Sequence, residues 1–189
     1  MSKGNRQRIL SASVDLFNAS GTIATTTNHI AKYLRISPGN LYFHFANREA
    51  IVRDLFARLT VATYAAWDPK QKRPLPEFLE KSFEVFWTFR FFHREMYHLR
   101  RQDPELNKAW KRHMQRCYRL LNLNYAHWVK DGYVRKIADP WEMRAISDTV
   151  LLSSSAFLGF FESPEKPASR KSMKAGIEHV QRLLQPYLL

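Results

Sequence analysis

Cysteine occurs once in the 189 residues, at Cys117. A single thiol excludes an internal disulfide and fits a reducing compartment. Long apolar runs are missing too: stretches such as Ala156 to Phe161 are far too short to cross a bilayer. The opening Met1-Ser2-Lys3-Gly4-Asn5-Arg6 carries no apolar stretch of the kind a secretion signal needs, so the expected location is the cytoplasm. No segment alternates apolar and polar residues as a strand does, and there are no repeats or long low-complexity stretches. Acidic residues are few: 17 Asp and Glu stand against 30 Lys and Arg, a net charge of +13, and the pI is near 10.1. Such an excess suits a polyanion such as nucleic acid, or less often an anionic membrane surface. Residues 1–66 hold eight Lys and Arg against three Asp and Glu, so most of the excess lies beyond them.

Enzymatic signatures are also lacking. No nucleophile stands at a recognisable spacing from a base, no loop is built to cradle phosphate, and no complete metal set is visible. His113 and Cys117 are four apart and share a helix face, yet they offer two soft ligands where about four are needed. A packed apolar thiol is the preferred reading of Cys117. No cofactor or metal is expected.

What is present is a globular composition, 45% hydrophobic and 25% charged, with helical periodicity throughout. Ile9, Ser13, Leu16 and Phe17 fall on one face of a first helix, which Gly21 closes as a left-handed cap. Thr26 caps a second helix that buries Ile30, Ala31 and Leu34, and Thr26 reads better as a cap than as a base reader. Ser37 caps a third helix, with Pro38 at its first position, where a missing N–H costs nothing. Leu41 and Phe45 face the core. Asn47 caps a fourth helix, from about Arg48 to Trp67, with Ile51, Leu55 and Leu59 on its buried stripe. Beyond a proline-rich loop the pattern predicts helices over about 77–92, 93–101, 103–131, 140–162 and 169–188. Asp139-Pro140-Trp141-Glu142 reads as a capping box, and 163–167 as a loop.

The stretch from Thr26 to Phe45 therefore reads as two short helices joined by a tight turn, with polar and aromatic residues exposed on the second. That is the layout of a helix-turn-helix, whose second helix enters the DNA major groove. Its residues are Thr26 … Ile30-Ala31 and Ser37-x-Gly39-x-Leu41-Tyr42-x-His44-Phe45, preceded by Ile9-Leu10 … Leu16-Phe17 … Gly21 and followed by Arg48-Glu49. With this order the chain resembles the tetracycline-repressor (TetR) family of one-component bacterial regulators. Phe89-Arg90-Phe91-Phe92, Asp103-Pro104-Glu105-Leu106, Gly132 and Leu184-Gln185-Pro186-Tyr187-Leu188 extend the likeness more loosely to the end. One departure stands in the turn, which reads Leu34-Arg35-Ile36-Ser37 where the family usually has a glycine. A positive φ at Arg35 would carry a small strain.

The resemblance implies an all-α protein. A three-helix helix-turn-helix DNA-binding domain over residues 1–47 is followed by a larger helical ligand-binding and dimerisation domain over 48–189. The helix at about 48–67 links the two. It implies backbone contacts for Thr27, Tyr42 and His44, and Arg48 adds a cation nearby. Asn28 offers the donor and acceptor pair that suits adenine. Ser37, Pro38 and Asn40 complete the expected DNA-binding set in the first turn of the recognition helix. Lys3, Arg6 and Arg8 are expected to form an arm along the duplex.

The remainder is rich in bulky aromatics. An aromatic stripe at helical spacing is more often core than pocket. The family's use of this domain nevertheless implies an apolar cavity, and the candidate ligand-binding residues are Phe86, Phe89, Trp110, Met114, Cys117, Tyr118 and Phe157. The expected partners are a palindromic double-stranded DNA operator, a second copy of the chain joined through the last two helices, and a small apolar or amphipathic effector that releases a repressor. No membrane partner is expected. Two rivals remain: a basic, nonspecific nucleic-acid-binding protein, and an enzyme on a helical scaffold.

Overall fold

The computed structural model describes residues 2–163 and 167–189, without the side chains of 2, 3, 154, 158 and 159. The described chain is helical: α1 Ser2–Ala24, α2 Thr27–Leu34, α3 Pro38–His44, α4 Arg48–Ala66, α5 Leu75–Thr88, α6 Arg90–Gln102, α7 Pro104–Lys130, α8 Pro140–Phe161 and α9 Arg170–Leu184. Short 3-10 turns lie at Pro69–Gln71 and Gln185–Tyr187, and an isolated antiparallel bridge joins Val134 to Leu188. The expected loop at 163–167 lies mostly outside the described residues.

The chain packs as two compact units. One holds residues up to Val61 together with Thr88–Trp110, and the other holds Ala62–Trp87 and Lys111–Leu189. Two of the three boundaries fall inside α4 and α7, and the third falls at the last residue of α5.

In the first unit, α1 packs on α2 and on α6. Ile9, Leu10, Phe17, Ile30, Leu41, Ile51 and Leu55 are fully buried, and Phe45 and Leu59 nearly so. Leu10 apart, these lie on the stripes that the periodicity marks out; Leu16 and Leu34, expected among them, are only half-buried. Phe17 meets Phe91 with ring centroids 5.3 Å apart. Gly21 does not end α1. It takes φ 79° and ψ 166° and kinks the helix, which continues to Ala24. The reason is Glu95 of α6. Its carboxylate accepts the Thr22 N–H at 3.1 Å and the Thr22 hydroxyl as well. A Cβ at Gly21 would lie 2.7 Å from Glu95 Oε1.

The break between α5 and α6 falls at Phe89 rather than near His93. Asn18 is the cause: its amide donates to the Thr88 carbonyl at 2.8 Å, and its Oδ1 accepts the Phe91 N–H at 3.1 Å. One side chain from α1 thus satisfies one carbonyl and one N–H of those that a helix break leaves open. The expected N-terminal arm is helix instead. Arg6 pairs with Asp54 and its guanidinium lies 4.9 Å from the centre of the Phe45 ring. The Lys3 side chain lies outside the described residues.

The core of the second unit is aromatic. Phe78 lies 5.2 Å from Trp67 and 5.0 Å from Trp128. Both indoles commit their N–H groups, Trp67 to Ser82 Oγ at 2.7 Å and Trp128 to the Arg73 carbonyl at 2.9 Å. Gly176 lets α9 approach closely, for a Cβ there would sit 2.8 Å from Phe83 and 2.9 Å from Phe157. At the start of α8, Asp139 Oδ1 accepts the Trp141 N–H at 2.9 Å. Glu142 pairs with Arg135 at 2.7 Å instead of reaching back to close the expected capping box.

Candidate nucleic-acid interface

α2 begins with a hydrogen-bonded cap. Thr26 Oγ1 accepts the His29 N–H at 3.2 Å, and His29 Nδ1 stands 3.4 Å from the Thr26 N–H. Histidine thus fills the place that Glu or Gln usually takes in a capping box. The same Nδ1 is 3.1 Å from the Ala24 carbonyl, a contact that the other tautomer makes.

α2 closes on Arg35, which takes φ 54° and ψ 42°. The Ile36 N–H reaches the Ala31 carbonyl at 3.0 Å and the Arg35 N–H reaches Lys32 at 3.1 Å. These are the two bonds of a Schellman ending, whose left-handed position favours glycine. The turn therefore keeps its geometry, and Arg35 holds a conformation that costs an L-residue about 1 kcal/mol. Its side chain is exposed.

α3 starts where Ser37 Oγ accepts the Asn40 N–H at 3.2 Å, with Pro38 at its first position. α4 starts where Asn47 Oδ1 accepts the Ala50 N–H at 2.8 Å. Leu41 anchors α3 inward and sets Tyr42 and Phe43 outward, 49% and 78% exposed. Thr27 Oγ1 and the Tyr42 hydroxyl are 3.0 Å apart, which ties the start of α2 to α3. Asn28, Ser37, Pro38 and Asn40 are exposed. His44 is half-buried, with the Phe43 ring edge-on at 5.1 Å. Thr27 and Tyr42 thus meet where the start of α2 packs on α3, and their sequence neighbours Asn28 and Phe43 are exposed. Arg48 serves the fold: its guanidinium donates to the Thr22 carbonyl at 2.8 Å and meets Glu49 at 3.3 Å.

The seven candidate ligand residues divide between the units. Phe89 and Trp110 belong to the first, where Trp110 lies 6.1 Å from Phe56 and beneath the Arg100 guanidinium. Phe86, Met114, Cys117, Tyr118 and Phe157 belong to the second. There Cys117 is core, and Phe86, Met114 and Tyr118 pack against that core. The Tyr118 hydroxyl donates to Asp148, and that bond pushes the phenol up from its ordinary pKa. Cys117 Sγ is 3.5 Å from His113 Nε2. Burial pulls His113 down to about 4 and pushes the thiol up to about 12. At neutral pH both are uncharged.

None of these five lines the apolar cavity of about 50 Å³ in the second unit, which lies between α5, the end of α7, α8 and the C-terminal residues. Nothing in the local sequence marks it, because its walls come from residues 75 to 188. Among the described residues no group of three or more His, Cys, Asp or Glu side chains is placed to hold a metal ion. No helix among them is long and apolar enough to cross a membrane.

Two family models match the chain. Residues 9–55 match that of "Bacterial regulatory proteins, tetR family", and residues 74–189 match TetR, "Bacterial transcriptional repressor". Among proteins of curated function, none matches. A solved TetR-family transcriptional regulator from Marinobacter aquaeolei VT8 is 33% identical, with a TM-score of 0.88 over 100% of this chain and 92% of that one. The ketosteroid transcriptional regulator KstR2 of Mycobacterium tuberculosis is 19% identical, with a TM-score of 0.67 over 100% of this chain and 97% of its own. PfmR, a TetR-family regulator from Thermus thermophilus, is 22% identical at a TM-score of 0.68, covering 94% of this chain and 97% of that one. These last two share the fold.

Proposed function

Because the chain belongs to the TetR family of bacterial transcriptional regulators, we propose that it works in the cytoplasm as a homodimeric repressor. It reads a palindromic DNA operator and leaves it when a small apolar or amphipathic effector binds. The observation that supports this most is the exposed surface at the α2–α3 junction, where the hydroxyls of Thr27 and Tyr42 stand 3.0 Å apart beside exposed Asn28, Phe43 and Asn40. Hydroxyls and an imidazole position a protein on phosphates, and amides read base edges. On this reading Thr27, Tyr42 and His44 hold the backbone. Asn28 and Asn40 read bases, Pro38 touches a thymine methyl, and Ser37 sets the helix start. Arg48 contributes its charge from its place beside Thr22.

Residues 1–47 form the DNA-reading domain, and 48–189 sense and dimerise. One recognition helix covers only a few base pairs, so a two-fold pair is the natural reader. α8 supplies exposed apolar side chains for it: Trp141 is 76% exposed, Leu152 65% and Phe160 80%. Large exposed apolar side chains are the usual anchors of such contacts. For the effector, Phe86, Met114, Cys117, Tyr118 and Phe157, all in the second unit, remain the proposed contacts. α4 runs unbroken through both units and is the proposed lever. Differential affinity for the two states sets the effect, on the scale of about 5- to 150-fold in operator affinity.

Selection of bound fragments from the source genome, followed by titration of the recovered site against random DNA at fixed salt, tests this. A strong preference for one palindrome supports the reading. Equal affinity for both overturns it in favour of a nonspecific binder.

A further inference from the structure

α7 carries a face that neither the DNA-reading contacts nor the effector contacts use. Between Lys111 and Arg119 its exposed residues are Lys111, Arg112, Gln115, Arg116 and Arg119. Spacings of three and four put them on one side of the helix. Glu105, near the start, is the only carboxylate on α7. Among the described residues no ion pair forms at Lys111, Arg112 or Arg119, whereas Arg73, Arg135, Arg144 and Arg170 of the same unit each meet a carboxylate. Arg112 and Arg116 are four apart, and Arg116 and Arg119 three apart, so like charges repel along the face and work against the helix. An outside polyanion offsets that repulsion. Arg116 is already placed for one: its guanidinium lies 5.8 Å from the centre of the Tyr64 ring, which stacks on buried His113 at 5.6 Å.

The spacing of the row selects the kind of polyanion. From Lys111 to Arg119 it runs about 12 Å, at about 1.5 Å per residue. One strand of a duplex brings a phosphate about every 3.4 Å along the axis, so about three or four phosphates meet the row. An acidic β-strand turns a side chain to one face only about every 7 Å, and an acidic helix about every 5.4 Å, so a protein partner matches about two. Arginine, the commoner cation here, has a planar fork that suits phosphate. No aromatic residue is exposed in the row, and unpaired bases need such a platform to stack on. A duplex therefore fits better than a single strand.

We propose that the Lys111–Arg119 face of α7 is a sequence-independent contact for the phosphate backbone of duplex DNA, separate from the α2–α3 surface. It needs no palindrome, so this contact and the operator-reading function fail in different experiments: the one in salt dependence on random DNA, the other in preference for one site.

The probe is a random-sequence duplex, titrated with the full chain at several salt concentrations. The variant Lys111→Gln/Arg112→Gln/Arg119→Gln empties most of the row and spares Arg116, which packs on Tyr64. The control Lys70→Gln/Lys81→Gln/Lys174→Gln removes the same charge from exposed lysines elsewhere in the unit. The row variant should lower the slope of log K against log salt by about two to three, at about 0.9 per phosphate, and weaken binding at least ~10-fold near 0.1 M salt. Arg112→Gln and Arg119→Gln, made singly, should each lower the slope by about one. The control should change it by less than about one. Circular dichroism verifies folding, and the Tm of the row variant should not fall, because repulsion is relieved. Polyglutamate and single-stranded DNA, titrated in the same way, should lose less than the duplex does. The proposal is overturned if the row variant keeps the parent's slope, if the control lowers the slope as much, or if polyglutamate or the single strand is weakened as much as the duplex.

Discussion

Thr27 Oγ1 lies 3.0 Å from the Tyr42 hydroxyl, so the first turn of α2 and the outer face of α3 carry a shared donor–acceptor pair at the surface. Only one of the two can donate to the other, which leaves the second proton free for an outside acceptor such as a phosphate oxygen. The pair also fixes the angle at which α3 presents its neighbours.

The first prediction follows. Tyr42→Phe, Thr27→Val and His44→Ala should each weaken DNA binding by roughly 5- to 10-fold on every sequence, the worth of about one hydrogen bond. Asn28→Ala and Asn40→Ala should instead change preference among bases at one position of each half-site. Titration against single-base variants of the operator separates the groups. Uniform loss for all five would show that the amides also sit on the backbone.

Arg35 carries two opposed effects. Its left-handed backbone, φ 54°, strains the turn, while its exposed cation favours a polyanion. Arg35→Gly should raise unfolding stability by about 1 kcal/mol. It should also weaken DNA binding and reduce the salt slope by about one phosphate's worth. Denaturant melts and binding at several salt concentrations check both halves. A stability gain with no change in slope would mean that the cation never meets the duplex.

Most of the helix-turn-helix stretch was legible because its signals are local. Thr26, Ser37 and Asn47 cap the helices that their sequence neighbours predict, and Pro38 sits at a first helical position. What escaped depends on residues far apart. The kink at Gly21 needs Glu95, and the break at Phe89 needs Asn18, each more than 70 positions away. The His29 cap was missed because the usual rule looks for Glu or Gln. The cavity escaped for the same reason as the kink. Its walls meet only in three dimensions, whereas a single helical stripe, such as the one holding Met114 and Tyr118, reads the same from sequence whether it faces core or void.

His113 makes stability depend on pH. Its folded pKa is held near 4 by burial, below the ordinary 6.5 or so of the unfolded chain. Between those values the unfolded state binds more protons, so stability is complete above about pH 6.5 and falls as pH drops towards 4. The loss from this group is on the order of 3 kcal/mol. Urea melts at pH 7.5, 6 and 4.5 should show the decline, and His113→Phe should flatten it. An equal decline in the variant would place the effect elsewhere.

Cys117 is the companion case. A buried thiol pushed up to about 12 has almost no thiolate at neutral pH, and thiolate is the reactive form. Iodoacetamide should therefore label the native protein at least ~100-fold more slowly than a small free thiol, whose thiolate fraction is far larger. Labelling in denaturant should be prompt. Rapid labelling of the native chain would contradict the buried placement.

The dimer face can be tested by its own symmetry. In a two-fold interface each substitution acts twice, so a loss of about 1 kcal/mol per site becomes about 2, or roughly 30-fold in dissociation constant. Leu152→Lys and Trp141→Ala should both loosen the dimer by at least that amount, since large exposed apolar anchors dominate such contacts. Tyr97→Ala is the control, because Tyr97 is equally exposed, at 69%, but lies on α6 in the other unit. Trp141 also borders a surface groove of about 190 Å³ whose floor includes Ile146, Val150, Leu184 and Tyr187, four residues that line the inner cavity as well. The same side chains therefore have one side on the void and the other on the proposed interface. Filling the void by Ser147→Leu should shift the dimer dissociation constant in the same sedimentation experiment, while Tyr97→Ala leaves it unchanged. If Leu152→Lys and Trp141→Ala sediment as the parent does, the two chains meet elsewhere and the apolar face of α8 needs another partner.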